Sequence, residues 1–228
     1  FAHPLLYTPG DNEWTDCWRP PCGGYDPVER LGRLRELFFP AGQALGGRPM
    51  KVFSQGRAGG EFDAFVENLR WEHDGVVFAT LHVVGSANNR GSPEFSPRNR
   101  ANLAWLRETF ALARGRRAPG VALFMQADPR FEIPPARRRG FQDIIEALGA
   151  EARAFPGAVL LVHGDSHRYR ADRPLEGSGV PNLLRVIVFG GSDVHGVSVA
   201  VDAAPPGVFT PSRFVIRKNL LGSGPGGP

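Results

Sequence analysis

The sequence is most informative at residues 159–167, which read VLLVHGDSH. The first four residues are apolar, as is typical of a strand covered on both faces in a parallel sheet. His163, Asp165 and His167 follow at alternate positions around a glycine. Open α/β sheets bind ligands in the turns at the carboxyl ends of their strands. This segment therefore predicts an α/β fold with a functional site at the turn.

The chain around this segment predicts the rest of a sheet. Hydrophobic patterns predict strands at residues 75–85, 120–126 and 158–163, and helices at residues 96–114 and 140–155. Strands that alternate with helices favour a largely parallel sheet with helices on its faces.

The first third of the chain predicts shorter elements. Residues 5–8 predict a strand, and residues 62–71 a second one that enters a hairpin turn at residues 73–75. Asp26 and Pro27 predict the start of a helix that continues to about Phe39, since Asp is a favoured cap and Pro a favoured first residue. We expect the buried face of this helix to consist of Val28, Leu31, Leu34 and Phe38.

The last part of the chain predicts strands without helices between them. They lie at residues 183–189, 195–201 and 213–217, and we expect them to pair antiparallel. Residues 1–221 are expected to form one domain. Residues 222–228 consist of glycine, serine and proline and are expected to be a mobile tail.

The composition is that of a packed domain. Of 228 residues, 42% are apolar and 22% are charged. No run approaches the roughly 20 consecutive apolar residues that cross a bilayer, so we expect a soluble protein without a membrane partner. The net charge of +4 comes almost wholly from arginine. We expect residues 137–139, three consecutive arginines, to be the solvated start of a helix, and we expect no nucleic-acid partner.

The two cysteines leave two interpretations open. Cys17 and Cys22 lie close enough in sequence for a small disulfide loop, which would form in an oxidising compartment. That interpretation favours a periplasmic or secreted protein. Two free thiols are the other interpretation, because two cysteines alone are too few for a structural zinc site.

Two polar turns offer groups that bind ligands. At residues 163–167, imidazole and carboxylate groups are suited to Zn, Fe or Mn, although a hydrogen-bonded turn is the alternative. The turn after the strand at residues 75–85 could bind a substrate phosphate through side chains and backbone amides, and a plain polar loop is the alternative. The candidate substrate-binding residues there are Ser86, Asn88 and Asn89.

Three motifs resemble those of the calcineurin-like metallophosphoesterases. They are Gly10-Asp11-Asn12-Glu13, Gln126-Ala127-Asp128-Pro129 and Gly164-Asp165-Ser166-His167. The family pattern runs Asp-x-His, Gly-Asp, Gly-Asn-His-Asp/Glu, a lone His, and Gly-His-x-His, and the resemblance covers most of residues 5–217. It implies a two-sheet α/β/β/α sandwich whose N-terminal strands are missing from this sequence.

The resemblance assigns roles to residues of these motifs. It implies that Asp11, Asp165 and His167 bind metal, and that Asn12 takes the position of the histidine that assists the leaving group. Asn12 and His163 are the candidate catalytic residues, although an amide cannot donate a titratable proton. Gln126 or Asp128 takes the position of the lone histidine.

The implied activity is hydrolysis of a small-molecule phosphoester with a divalent metal, Mn, Fe, Zn or Mg, as a dinuclear centre in the full-length protein. The Asp-x-His and Gly-Asp motifs do not occur before the first of these motifs. We therefore expect the N-terminal part of the same precursor, or another chain, to complete the sheet next to residues 5–8. The alternative function is a catalytically degenerate binding or structural module of the same fold that acts with a partner chain.

Overall fold

The computed structural model describes residues 2–40, 42–191, 195–204 and 207–216. Its strands are β1 (Pro4–Leu5), β2 (Leu45–Gly46), β3 (Phe53–Ser54), β4 (Leu69–His73), β5 (Val76–Thr80), β6 (Gly120–Phe124), β7 (Ala158–His163), β8 (Arg170–Asp172), β9 (Leu183–Ile187), β10 (Gly196–Val201) and β11 (Phe209–Phe214). Its helices are α1 (Pro27–Phe38), the single turn α2 (Gly85–Asn88), α3 (Phe95–Arg116) and α4 (Gln142–Ala154). The expected tail at residues 222–228 lies outside the described residues.

A seven-stranded sheet forms the centre of the fold, in the order β3-β4-β5-β6-β7-β9-β8. Strands β5, β6, β7 and β9 run parallel, while β3 and β4 at one edge and β8 at the other pair antiparallel. The predicted mixed α/β architecture with a mostly parallel sheet is confirmed. The expected antiparallel pairing among the last three strands is confirmed for β10 with β11 and wrong for β9, which pairs with neither of them but parallel with β7 and antiparallel with β8. The connection from β7 to β9 contains β8 and is long enough for the crossover that parallel strands need.

The sheet separates two layers of apolar side chains. Odd-numbered strand residues such as Val77, Leu123 and Leu161 belong to the core cluster that includes residues of α3 and α4. Even-numbered residues such as Phe78 and Leu160 pack on the opposite side, against the antiparallel pair β10 and β11. This alternation follows from the two-residue period of a strand. The order of the layers is therefore helices, central sheet and hairpin.

The helix α1 begins where the sequence predicts. Asp26 caps it, since one carboxylate oxygen accepts hydrogen bonds from the amides of Val28 and Glu29 at 2.7 and 2.9 Å. The expected buried face is confirmed only in part: Leu31 is the only residue of α1 that is fully buried, and Leu34 is partly buried in the same cluster. Val28 and Phe38 are 52% and 40% exposed. The helix packs at the edge of the fold and buries a narrower stripe than its sequence pattern suggests.

Two predicted strand boundaries are also wrong. At residues 5–8 the only strand is the two-residue β1, which pairs with β2 and not with the central sheet. Residues 62–68 form turns, and the strand β4 begins only at Leu69. The hairpin turn at residues 73–75 is present: Asp74 and Gly75 have φ values of 48° and 78°, which suit the tight turn between β4 and β5.

Two further features bear on the expectations from composition. Cys17 and Cys22 are free thiols. Within the described residues, no helix combines the length and apolar character that a bilayer span requires.

Candidate functional site

The candidate site lies at the carboxyl ends of three adjacent parallel strands. Gly85 follows β5, Gln126 follows β6 and Asp165 follows β7. The loop that contains Asp11 reaches the same edge of the sheet from the N-terminal part of the chain. Ligand sites of open α/β sheets form at this edge because the loops there converge.

The carboxylates of Asp11 and Asp165 meet at Gly85. A Cβ atom on Gly85 would lie 2.8 Å from Cγ of Asp11 and 3.0 Å from Oδ1 of Asp165. Only glycine leaves room for both groups at this point. The two loops that the sequence identifies as candidate ligand loops are therefore brought together.

Gln126 holds Asp11 in place. Its Nε2 donates to Oδ1 of Asp11 at 3.0 Å, and its Oε1 accepts from the amide of Gly85 at 2.6 Å. The hydroxyl of Ser86 donates to the other carboxylate oxygen of Asp11 at 3.2 Å. Asp11 is almost fully buried and has a partner for each oxygen. These contacts fix the direction in which its carboxylate points.

The pair of carboxylates creates a locally negative site. Burial raises the pKa of Asp165, and the nearby charge of Asp11 raises it further. A buried and a half-buried carboxylate that border the same space repel each other when both are charged, unless a cation lies between them. Their oxygens, with the amide oxygen of Gln126 next to them, are the donor type that Mg and Mn prefer.

His163 presents an unused nitrogen at the base of this turn. Its Nδ1 lies 3.2 Å from the carbonyl oxygen of Gly164, and since a carbonyl only accepts, Nδ1 carries the hydrogen. Its Nε2 is buried and has no hydrogen-bond partner among the described residues. Burial lowers the pKa of His163, and the nearby Asp128 opposes this shift. The ring is therefore neutral, and Nε2 offers a lone pair, as metal ligands and general bases do.

His167 lies apart from the carboxylate pair. It is exposed, has a φ of 60°, and packs against the glycines at 190 and 191. In the part of the chain that the structure describes, no three His, Cys, Asp or Glu side chains are close enough together to hold a metal ion. The structure brings Asp11 and Asp165 together, and it does not bring His167 to them.

The fit to a divalent cation rests on the donor chemistry at Gly85. The two carboxylates that converge there, Asp11 and Asp165, suit one cation of the Mg, Mn, Fe or Zn class. The dinuclear centre that the resemblance implies stays a prediction.

The candidate substrate-binding residues occupy a strained turn. Ser86, Asn88 and Asn89, with Ala87 between them, all have φ values between 51° and 56°. Residues with a side chain rarely adopt this left-handed conformation, and a run of them stores strain that often accompanies function. Ser86 is exposed beside Asp11, and Asn89 donates to Glu94 at 2.8 Å.

Asn88 supports the turn from inside. Its Oδ1 accepts from Nη1 of Arg98 at 2.6 Å, and its Nδ2 donates to the carbonyl of Gly140 at 2.9 Å. Both polar atoms of this buried side chain are thus used within the protein. Asn12, the candidate for assisting the leaving group, is exposed and lies next to Asp11 in the chain.

Residues 137–139 lie in a different environment from the expected one. They do not start a helix: residues 135–137 form a short 3-10 turn, and α4 begins only at Gln142. Their side chains line cavities that also include Ser86 and Asp165. Local sequence could not reveal this, because the contact depends on how the loop folds back onto the turn at residue 86.

Comparison with known proteins does not identify a family for this chain. The chain matches no protein-family model and no curated protein.

Proposed function

We propose that this chain forms part of a metal-dependent phosphoester hydrolase of the calcineurin-like type that acts on a small-molecule phosphoester. The observation that supports the proposal is the convergence of Asp11 and Asp165 at Gly85. Both residues come from motifs that resemble the metal-binding motifs of that family. Their meeting at the carboxyl edge of a mostly parallel sheet is what the resemblance requires.

In this proposal, Asp11 and Asp165 bind the cation, and Gln126 orients Asp11 through its hydrogen bond. A bound divalent cation would polarise a phosphoryl oxygen and balance the negative charge that develops there. His163 lies in the same turn as Asp165, and its buried Nε2, which has no partner among the described residues, can accept a proton. Ser86 is exposed beside this pair, and its hydroxyl can donate to a phosphate oxygen only by giving up its hydrogen bond to Asp11.

A specific observation favours the alternative, a degenerate binding module of the same fold. Gln126, one of the two residues at the position of the family's lone histidine, donates an N–H group to Asp11. If Gln126 is the equivalent residue, this position supplies a donor to the carboxylate where a histidine ligand would supply a lone pair to the metal. Asn12 supplies no titratable proton. A module of this kind would bind a phosphorylated ligand or a partner chain without hydrolysis.

The experiment measures two quantities on the purified chain, Mn binding by calorimetry and hydrolysis of p-nitrophenyl phosphate. We expect stoichiometric Mn binding that Asp11→Asn and Asp165→Asn each weaken by about tenfold or more, because each removes a charged ligand. Asp74→Asn is the matched control. It makes the same chemical change at an exposed hairpin position that tolerates Asn.

The two readouts separate the alternatives. Mn binding together with Mn-dependent hydrolysis supports the hydrolase, and Mn binding without hydrolysis supports the degenerate module. If the chain binds no Mn, or if Asp74→Asn weakens binding as much as the two site variants do, the proposed site is wrong.

A further inference from the structure

A groove lined by arginines adjoins the carboxylate pair. One cavity of about 250 Å³ has Asp165, Asp128 and Ser86 in its lining. A second cavity of about 510 Å³ shares Ser86 and Arg139 with it, so the two are neighbours. The arginines that line the two cavities are Arg90, Arg130, Arg137, Arg138 and Arg139.

These five guanidinium groups lack acidic partners. Within the described residues, none of them forms an ion pair within 4.0 Å, whereas ten arginines elsewhere do. Arg138 is held in place by the backbone carbonyls of Phe131 and Ile133, at 2.7 and 2.8 Å. Unpaired arginines in a concave surface raise the local concentration of anions and bind phosphate through two parallel hydrogen bonds.

The wall of the groove is built into the candidate site. Gly140 has a φ of 78°, and a Cβ atom there would lie 2.9 Å from the carbonyl carbon of Ala87. Asn88 donates to the carbonyl of Gly140 and is itself fixed by Arg98. The arginine loop is therefore locked onto the turn that contacts Asp11. A preformed arrangement of this kind lowers the entropy cost of binding a ligand.

We infer that the groove binds a second phosphate group of the substrate whose first phosphate lies at Asp11 and Asp165. The inference rests on the proposed function, and it narrows the substrate class to small phosphoesters with at least two phosphate groups. A monophosphate would leave the arginines without an anion. Cavities of about 250 and 510 Å³ suit a small molecule better than the extended backbone of a nucleic acid.

The test compares binding of fructose 1,6-bisphosphate and of fructose 6-phosphate by calorimetry at low salt, once with saturating Mn and once with EDTA. With Mn, the bisphosphate can place one phosphate at the cation and the other in the groove, so we expect it to bind about tenfold tighter or more than the monophosphate, since an arginine-phosphate contact is charge-assisted. With EDTA, the carboxylate pair repels phosphate, so only the groove binds and the preference for the bisphosphate should become smaller.

Variants locate the second phosphate. Arg139→Gln and Arg90→Gln change exposed side chains without hydrogen bonds to the described residues, so neither should disturb folding. Each should reduce the preference for the bisphosphate by about fivefold or more, in keeping with the loss of one charged contact. Arg116→Gln is the control, because Arg116 is an exposed residue of α3 that lines none of these cavities.

Three outcomes on the chain with bound Mn would overturn the inference. They are equal binding of the two sugars, a preference that Arg139→Gln and Arg90→Gln leave unchanged, and a single-stranded oligonucleotide that binds tighter than the bisphosphate and depends on the same arginines. Failure of the hydrolase proposal looks different. In that case Mn does not bind, or binds without hydrolysis, while both sugars still bind in EDTA through Arg139 and Arg90.

Discussion

The carboxylates of Asp11 and Asp165 lie next to the same point beside Gly85, although the two residues are far apart in the chain. A Cβ atom on Gly85 would lie 2.8 Å from Cγ of one and 3.0 Å from Oδ1 of the other. The absence of a side chain on Gly85 therefore leaves the space that both carboxylates border. This relationship makes the position of Gly85 directly testable.

Gly85→Ala should disrupt cation binding more than folding. The added methyl group overlaps the Asp11 carboxylate and pushes it away from Asp165. The backbone at Gly85 has no positive φ, so alanine itself is not strained there. We expect Mn affinity, measured by calorimetry, to fall by about tenfold or more, because a ligand displaced by about 1 Å is no longer well placed.

The matched control for this prediction is Gly115→Ala. Gly115 lies in α3, and nothing is found within 4 Å of its Cβ position. This change should leave Mn affinity unaltered and raise stability by up to about 1 kcal/mol, since alanine favours helix. Equal Mn affinity in Gly85→Ala and the parent chain would show that the two carboxylates do not hold the cation together.

Asn12→His tests the implied role of residue 12 at the leaving group. The amide of Asn12 cannot donate a titratable proton, so the parent chain should hydrolyse aryl phosphates, whose leaving groups need no acid, far better than alkyl phosphates. A histidine at this exposed position can protonate the leaving group. We expect the ratio of alkyl to aryl phosphate hydrolysis to rise by about tenfold or more, at the low end of general-acid effects.

Asn12→Gln is the control for this substitution, because it keeps the amide and changes only its reach. It should leave the ratio of the two rates unaltered. If Asn12→His and the parent chain show the same ratio of alkyl to aryl phosphate hydrolysis, residue 12 does not act at the leaving group.

The sheet could be read from the sequence because its strands carry strong local patterns. The strand predicted at residues 158–163 has the same bounds as β7, and the helix predicted at residues 140–155 contains α4. The direction of β9 could not be read, since it depends on the crossover after β7 and not on the composition of β9 itself. The face of α1 was also not readable, because helix periodicity shows which residues could be buried but not what covers them.

The candidate site was predictable only in part. The motif resemblance led to Asp11 and Asp165, which the structure brings together at Gly85. The sequence around residues 137–139 did not indicate where these arginines lie. Their loop is fixed by the hydrogen bond between Gly140 and Asn88, and Asn88 is distant from the loop in sequence. Gly140, directly after the three arginines, is a sequence feature that could have indicated that the loop packs closely against another part of the backbone.

A buried ion pair should control the stability of the N-terminal part of the fold. Glu67 is fully buried and accepts from Nη2 and Nε of Arg35 at 2.6 and 2.9 Å, which ties α1 to the sheet. It also accepts from Nδ1 of His82 at 2.7 Å. Glu67→Gln should lower the free energy of unfolding by about 3–5 kcal/mol, as is usual when one member of a buried pair is removed. Glu61→Gln, at an exposed ion pair with Arg100, should cost less than about 1 kcal/mol.

The same pair predicts how stability depends on pH. Burial alone would raise the pKa of Glu67, but its hydrogen bonds and the charges of its partners outweigh burial and lower the pKa to about 2. The folded-state pKa thus lies below the ordinary value of 4.5, so the unfolded chain binds the proton more readily. The stabilising contribution of Glu67 is complete above about pH 4.5 and is lost as the pH falls from there towards 2.

Urea unfolding of the parent chain, Glu67→Gln and Glu61→Gln across this pH range measures the effect. The difference in unfolding free energy between the parent and Glu67→Gln should be largest near neutral pH and should shrink steadily below pH 4.5. The difference between the parent and Glu61→Gln should stay small throughout, because its carboxylate is solvated. Parallel curves for the parent and Glu67→Gln would mean that Glu67 titrates in the folded protein as it does in the unfolded chain, and that its contacts with Arg35 and His82 do not stabilise its charge.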